Sequence, residues 1–236
     1  MIIVPGPPAL ADYTDTFDRP DSTDLGPAWR PEHLSCQVIS NKAQCRELPR
    51  GTARTGAWET YVGDYGGRLL TDNWEVTAPL ATVTGSASVA DFTAIGVGMQ
   101  EDGPAPGMLL VYLATCRTTG PAGGSRIMTW EGSAITAPAT CTDMAGQTVR
   151  ASNTTAIFST DTITLRRRMY SPTQSIITAL INGATALTWD DTAGVVAAGD
   201  PYRRRWFIVC EADTPSFLST RFSPALASVR ARDLTT

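Results

Sequence analysis

A single histidine, His33, stands in 236 residues, and the five cysteines (Cys36, Cys45, Cys116, Cys141 and Cys210) form no C-x-x-C pair. That shortage excludes a zinc site built on Cys and His. A Ser-His-Asp or Cys-His catalytic arrangement would have to use a histidine in the polar loop RPEHLS. Charge is scarce too: charged residues make up 18% of the chain, against roughly 25% in ordinary domains. The formal net charge is −4, which speaks against a protein that tracks phosphate backbones, so no nucleic-acid partner is expected. No apolar run reaches the ~18 residues of a membrane span. No Gly-rich loop opens a helix, since GPAGGS at 120–125 lies between strand-like runs. No window carries a helical stripe.

What the chain does have is turn chemistry and strand formers. With 20 Gly, 16 Pro and 42% apolar residues, it can bury a core and punctuate it with tight turns. Runs rich in Val, Ile, Thr, Tyr and Trp predict strands at 36–39, 44–47, 57–62, 72–82, 93–100, 108–115, 126–131, 134–140, 155–159, 162–168, 174–181, 184–190, 204–211 and 226–233. Their regular spacing predicts an all-β sandwich. One domain over 13–236 is expected, preceded by an extended arm over 1–12. The arm, MIIVPGPPALAD, lacks the basic flank and long apolar stretch of a secretory signal.

SIITALINGATALTWDD, residues 175–191, predicts a hairpin turning at Asn182-Gly183, where a type I′ turn needs positive φ twice. That register pairs Ile181 with Ala184, Leu180 with Thr185, Thr178 with Leu187 and Ile176 with Trp189. Both faces are largely apolar, which places the hairpin inside the sheet stack. A second hairpin is predicted in RIMTWEGSAITAP, turning through Glu131–Ser133. Cys36 and Cys45 flank QVISNKAQ and face each other if the turn centres on Ser40-Asn41. A turn at Asn41-Lys42 would set them diagonally. Disulfides at Cys36–Cys45 or Cys116–Cys141 and five reduced, buried thiols stay equally open.

Three stretches carry a resemblance. TFDRPDSTDLGPAW contains Phe17, Asp18, Arg19, Leu25, Gly26 and Trp29. The hairpin segment supplies Asn182, Gly183, Trp189, Asp191 and Gly194. The run PYRRR contributes Tyr202, Arg203 and Arg204, and the chain closes on ALASVRARDL. The order of these phrases over about 14–234 resembles the concanavalin-like jelly-roll domain in minor tail proteins of actinobacteriophages, above all those infecting mycobacteria. The resemblance implies a jelly-roll sandwich of two antiparallel sheets. It also implies a virion structural protein of the phage tail, assembled in the host bacterial cytoplasm. Expected partners are other tail proteins, further copies of the chain (a trimer among the options) and a host cell-wall glycan. It implies no catalytic set.

The residues themselves suggest the same. Glycosidases of this fold class use same-face carboxylates in an E-x-D-x-(x)-E pattern, and no such pattern appears, so a non-enzymatic role is expected. A polysaccharide hydrolase or a head decoration protein are the alternatives. In the opening phrase, Phe17 and Trp29 are expected to anchor a loop whose Asp18, Asp21 and Asp24 hold Asx-type turns. Calcium is the rival reading, but the spacing is not that of a D-x-D-x-D-G loop, so no cofactor and no metal are expected. Trp58, Tyr61 and Tyr65 in WETYVGDYGG are the candidate glycan platform. Tyr202, Arg203, Arg204 and Trp206 are the candidate interface. The triplets Arg166–Arg168 and Arg203–Arg205 split between strand faces and read as solvent-facing, the alternative being contact with an acidic neighbouring subunit or an anionic cell-wall polymer.

Overall fold

Alternation at period two decides which side of each strand is dry, and here it builds two antiparallel sheets stacked face to face. The computed structural model describes residues 10–83, 92–100, 103–114, 124–130, 147–155, 157–199, 205–214 and 220–235. The expected sandwich is present, and the one helical turn among the described residues is the 3₁₀ turn Asp64–Gly67.

The nine-stranded sheet starts at the edge with β13 (Ala184–Asp191), followed by β12 (Gln174–Ile181), β11 (Thr162–Ser171) and β6 (Trp74–Ala81). Beyond β6 it divides. One half of β6 pairs with β17 (Val229–Asp233), which pairs with β1 (Asp12–Asp15). The other half meets β16 (Ala225–Leu226), then β4 (Ala43–Cys45) and β3 (Cys36–Val38). The eight-stranded sheet runs β10 (Gln147–Ser152), β9 (Ser125–Trp130), β8 (Gly103–Ala114), β7 (Phe92–Gln100), β14 (Arg205–Thr214), β5 (Thr52–Tyr61) and β2 (Trp29–Pro31). A short β15 (Arg221–Phe222) lies beside β14. Val76, Ile163, Leu165 and Ile177 from the first sheet meet Ala57, Ile95, Ile127, Trp206 and Ile208 from the second in one core.

The opening phrase is an anchored loop. Phe17 is fully buried and packs on Trp29 with ring centroids 6.1 Å apart. Its backbone sits at φ +52°, costly for a bulky residue. Asp15 holds it there: Oδ1 accepts the Phe17 N–H at 2.8 Å, Oδ2 accepts the Trp29 indole N–H at 2.7 Å, and Arg19 pairs with the carboxylate. Asp24 accepts the Gly26 N–H at 2.8 Å, and Asp21 accepts the Ser40 N–H at 2.7 Å. Asp24 therefore holds an Asx turn as expected, whereas Asp21 ties the loop to the turn at Ser40, and Asp15 is the residue that braces Phe17.

The 175–191 hairpin turns where expected, with Asn182 at φ +51° and Gly183 at φ +80°. The first two pairs match, but Ala186 bulges out of the ladder, and Ala179 then faces Leu187 while Ile177 faces Trp189. The bulge puts Leu187 on the core side with Ile177 and Ala179 and leaves Ile176 exposed. β13 is moreover the edge of its sheet, not an interior strand. Strand β9 pairs with β8 and β10, and the second half of the hairpin expected in RIMTWEGSAITAP lies outside the described residues. β10 is polar enough to have escaped sequence reading, and β1, β2, β15 and β16 are too short for a periodic signal. The stretch 155–159 forms no strand among its described residues.

Two motif carboxylates act as knots. Asp233, nearly buried, accepts the N–H of Ala11 (2.8 Å), Leu70 (2.9 Å) and Thr71 (2.9 Å), tying both ends of the chain to the loop before β6. Ala11 and Asp12 thus already belong to the sandwich, which trims the arm expected over 1–12. Asp191 accepts the N–H of Val195 and Val196, each at 2.8 Å, which closes the turn that follows WDD in WDDTAG. Arg167 is not solvent-facing as its triplet suggested. It is buried, donating to Ser175 Oγ and to the carbonyls of Val196 and Ala197 beside Asp72.

Candidate functional site

The β3–β4 hairpin makes the floor of an open pocket of about 450 Å³, within the roughly 300–1,000 Å³ typical of ligand sites. Ser40 (φ +50°) and Asn41 (φ +59°) form its two-residue turn, so Cys36, Val38, Ala43 and Cys45 point into the core. Gln37, Ile39, Gln44 and Arg46 alternate onto the other face and line the pocket with Thr23, Glu47 and Phe222. One wall is the opening loop, held along β3 by a two-way bridge. Ser22 N–H donates to Val38 O at 3.0 Å and Val38 N–H donates to Ser22 O at 2.9 Å. Gln37 Nε2 reaches back to the Cys45 carbonyl at 3.3 Å, which orients its amide over the hairpin.

The lining combines two carboxamides, a hydroxyl, one guanidinium and one carboxylate around the apolar Ile39 and Phe222. Its formal charges cancel. Such a set suits a neutral ligand rich in hydroxyls: amides donate and accept at once, and Arg and Glu each address adjacent hydroxyls in pairs. Sequence reading missed every one of these residues. The signal was present, because the register that sets Cys36 opposite Cys45 sends Gln37 and Gln44 together to the opposite face.

The residues singled out from sequence do not gather here. Trp58 and Tyr61 project from opposite faces of β5. Tyr61 is a core ring, stacked on Trp206 at 4.6 Å and edge-on to Trp29 at 5.3 Å. Gly67 belongs to that packing, since at φ +66° a Cβ would run into the Tyr61 carbonyl. Trp58 is fully buried against Trp130 (5.9 Å) and Phe207 (5.7 Å) on the other side of the sheet. Tyr65 lies in the 3₁₀ turn, and its side chain is outside the described set. The proposed glycan platform is therefore not an exposed cluster. Trp206 is fully buried and forms no surface contact, which corrects its assignment to an interface. Tyr202, Arg203 and Arg204 lie outside the described residues. His33 is half-buried, its Nδ1 3.2 Å from the Gly56 carbonyl.

A strongly perturbed carboxyl faces the core. Glu59 is 1% exposed, and burial pushes its pKa up to about 8, although the Cys36 N–H donated to Oε1 at 2.9 Å pulls the other way. Its Oε2 has no hydrogen-bond partner among the described residues. In the pocket the carboxylate is Glu47.

No protein-family model matches the chain, and no curated protein matches it. Solved structures do. The endo-1,3-β-glucanase of Streptomyces sioyaensis superposes with a TM-score of 0.59 at 13% identity, covering 99% of this chain and 100% of that one. The carbohydrate recognition domain of Emp47p superposes with a TM-score of 0.56 at 10% identity, over 96% and 97%. An endo-β-1,3(4)-glucanase of family GH16, SCLam, gives 0.52 at 12% identity, over 97% and 96%. The fold is a concanavalin-like jelly roll. The comparison also overturns one expectation. Catalysis was set aside for want of a linear carboxylate motif, yet two of these three matches along nearly the whole chain are glucan hydrolases. Carboxylates brought together from separate strands leave no such motif, so its absence does not exclude an enzyme.

Proposed function

We propose that this chain is a carbohydrate-binding jelly-roll subunit of a bacteriophage tail, which attaches to a neutral cell-wall polysaccharide of its host through the β3–β4 pocket. The observation that carries the reading is the lining: Gln37, Gln44, Thr23, Arg46 and Glu47 around Ile39 and Phe222, polar and charge-balanced, in a cavity large enough for a sugar unit or two. The fold shared with a carbohydrate recognition domain supports it. The phrases TFDRPDSTDLGPAW and INGATALTWDDTAG support a place in the tail, in several copies beside other tail proteins.

The test is titration of the purified chain with soluble mycobacterial arabinogalactan and a panel of neutral glucans and mannans by calorimetry. Binding to at least one polymer, weakened tenfold or more by Gln37→Ala or Arg46→Ala with the circular dichroism spectrum unchanged, is the expected result. Binding unaffected by both variants would remove the pocket, and no binding to any polymer would remove the reading. Release of reducing ends in the same mixtures would make the chain a polysaccharide hydrolase. Particles labelled with antibody at the head would make it a decoration protein.

A further inference from the structure

The core face of the same hairpin carries a second feature, independent of the pocket. Cys36 and Cys45 are direct cross-strand partners in the β3–β4 ladder, and both are free thiols. Antiparallel partners alternate between hydrogen-bonded and non-hydrogen-bonded pairs. Ile39 N–H donates to Lys42 O at 3.0 Å, so Ile39/Lys42 is a hydrogen-bonded pair, and alternation makes the first and third pairs from it non-hydrogen-bonded. Two observations place Val38/Ala43 and Cys36/Cys45 in the second class. The Val38 N–H turns outward to Ser22, and the Cys36 N–H turns away from β4 to the Glu59 carboxyl. Partners of that class have Cα atoms about 4.5 Å apart, inside the ~4.4–6.8 Å range that a disulfide spans.

We propose that Cys36 and Cys45 are a reversible disulfide site, reduced here, that closes when a disulfide oxidant such as oxidised glutathione reaches it. The Cys45 thiolate attacks the oxidant's S–S bond and releases one glutathione thiolate. The Cys36 thiolate then attacks the mixed disulfide at the Cys45 sulfur and releases the second. The two protons end on two molecules of reduced glutathione, so two protein thiols and one oxidant disulfide give one protein disulfide and two small thiols.

Access sets the rate. Both thiols are buried: hydrogen bonding with Cys210 and then burial raise the Cys36 pKa, burial raises that of Cys45, and both are held as unreactive thiols in the closed sandwich. β3 ends its sheet and is three residues long, so local opening of this hairpin exposes them without unfolding the rest. Cys210 lies in the same cluster, within hydrogen-bonding reach of Cys36, and is the competing thiol.

The test is incubation of the native full chain with oxidised glutathione, alkylation of the remaining thiols and peptide mapping by mass spectrometry. Lys42 lies between the two cysteines, so trypsin separates them into two peptides that travel together only while bonded. The expected result is a Cys36–Cys45 linked pair, reversed by dithiothreitol. Its expected companion is a rise in Tm of roughly 5 °C over the reduced protein, which Cys45→Ala abolishes. A Cys36–Cys210 link would overturn the proposal. So would alkylation of Cys36 and Cys45 as free thiols after exchange long enough for global unfolding.

Discussion

Two buried glutamates, Glu75 in the nine-stranded sheet and Glu59 in the eight-stranded one, are treated in opposite ways. Glu75 on β6 lies on the outer face of the nine-stranded sheet between two guanidiniums, accepting from Arg232 at 2.7 Å and Arg166 at 2.9 Å. Burial would raise its pKa, but the two arginines outweigh burial and hold it below the usual value. Glu59 on β5 has no cation against it among the described residues, and burial wins. The difference follows from the surroundings. The outer face of the nine-stranded sheet is wet and cross-linked by ion pairs, whereas the side chains around Glu59 belong to the dry core. Burial of a carboxyl therefore has no fixed sign in this fold; the neighbouring strand decides it.

The largest effect that would sharpen this contrast is on Glu59. A folded-state pKa of about 8 exceeds the unfolded value of 4.5, so the folded protein holds a proton that the unfolded chain gives up. Its contribution is fully present below about pH 4.5 and is lost as pH rises towards 8. Glu59→Gln keeps the acceptor for Cys36 N–H and cannot ionise. It should match the wild type at pH 4 and exceed it by on the order of 3 kcal/mol at pH 7, read from urea melts. A difference that does not grow with pH would break the comparison.

Glu75→Gln should do the reverse. Its lowered pKa means that its contribution is present above the unfolded value of 4.5 and is lost as pH falls through the folded one. The variant is expected to be less stable than the wild type by about 1 kcal/mol at pH 7, since both arginine partners are over a third exposed and screened. The deficit should close as pH falls through the lowered folded-state value. Opposite pH slopes in the two variants are the signature of the two environments.

Much of the fold was legible because its signals are local. Asn182-Gly183 demands a turn, and Val, Ile and Trp at alternate positions demand strands. The Ala186 bulge was not legible, since nothing in ATALTWDD distinguishes an extra residue from a paired one, and it moved Leu187 and Trp189 to the other face. The candidate site was less legible for a related reason. Aromatics such as Trp58, Tyr61 and Trp206 are good at both binding and filling a core, and a sandwich with a dry face on each side of β5 and β14 used them all for packing. The residues around the pocket are ordinary polar ones, and only the pairing of β3 with β4 and the docking of the Thr23 loop bring them together. Asp233 shows the converse: an ordinary RDL ending acquires its meaning from three N–H groups in two distant segments.

The smallest effect belongs to the rim of the wet face. Arg230 and Asp12 pair across β17 and β1, Nε to Oδ1 at 2.8 Å, with side chains 46% and 48% exposed. The hydrogen bond from Arg230 holds the Asp12 pKa below its usual value. The pair is geometrically as good as the Glu75 contacts, but water competes for both partners and each long side chain loses rotamer freedom on pairing. A double-mutant cycle of Asp12→Ala and Arg230→Ala should give a coupling of about 0.5 kcal/mol or less, falling further in 1 M salt. The same cycle on Glu75 and Arg232 should give more and lose less to salt, because the Glu75 carboxylate is 8% exposed. Equal couplings in the two cycles would mean that burial of the carboxylate does not control the strength of ion pairs on this face. The opposite behaviour of Glu59 and Glu75 would then have to come from the presence or absence of arginine alone.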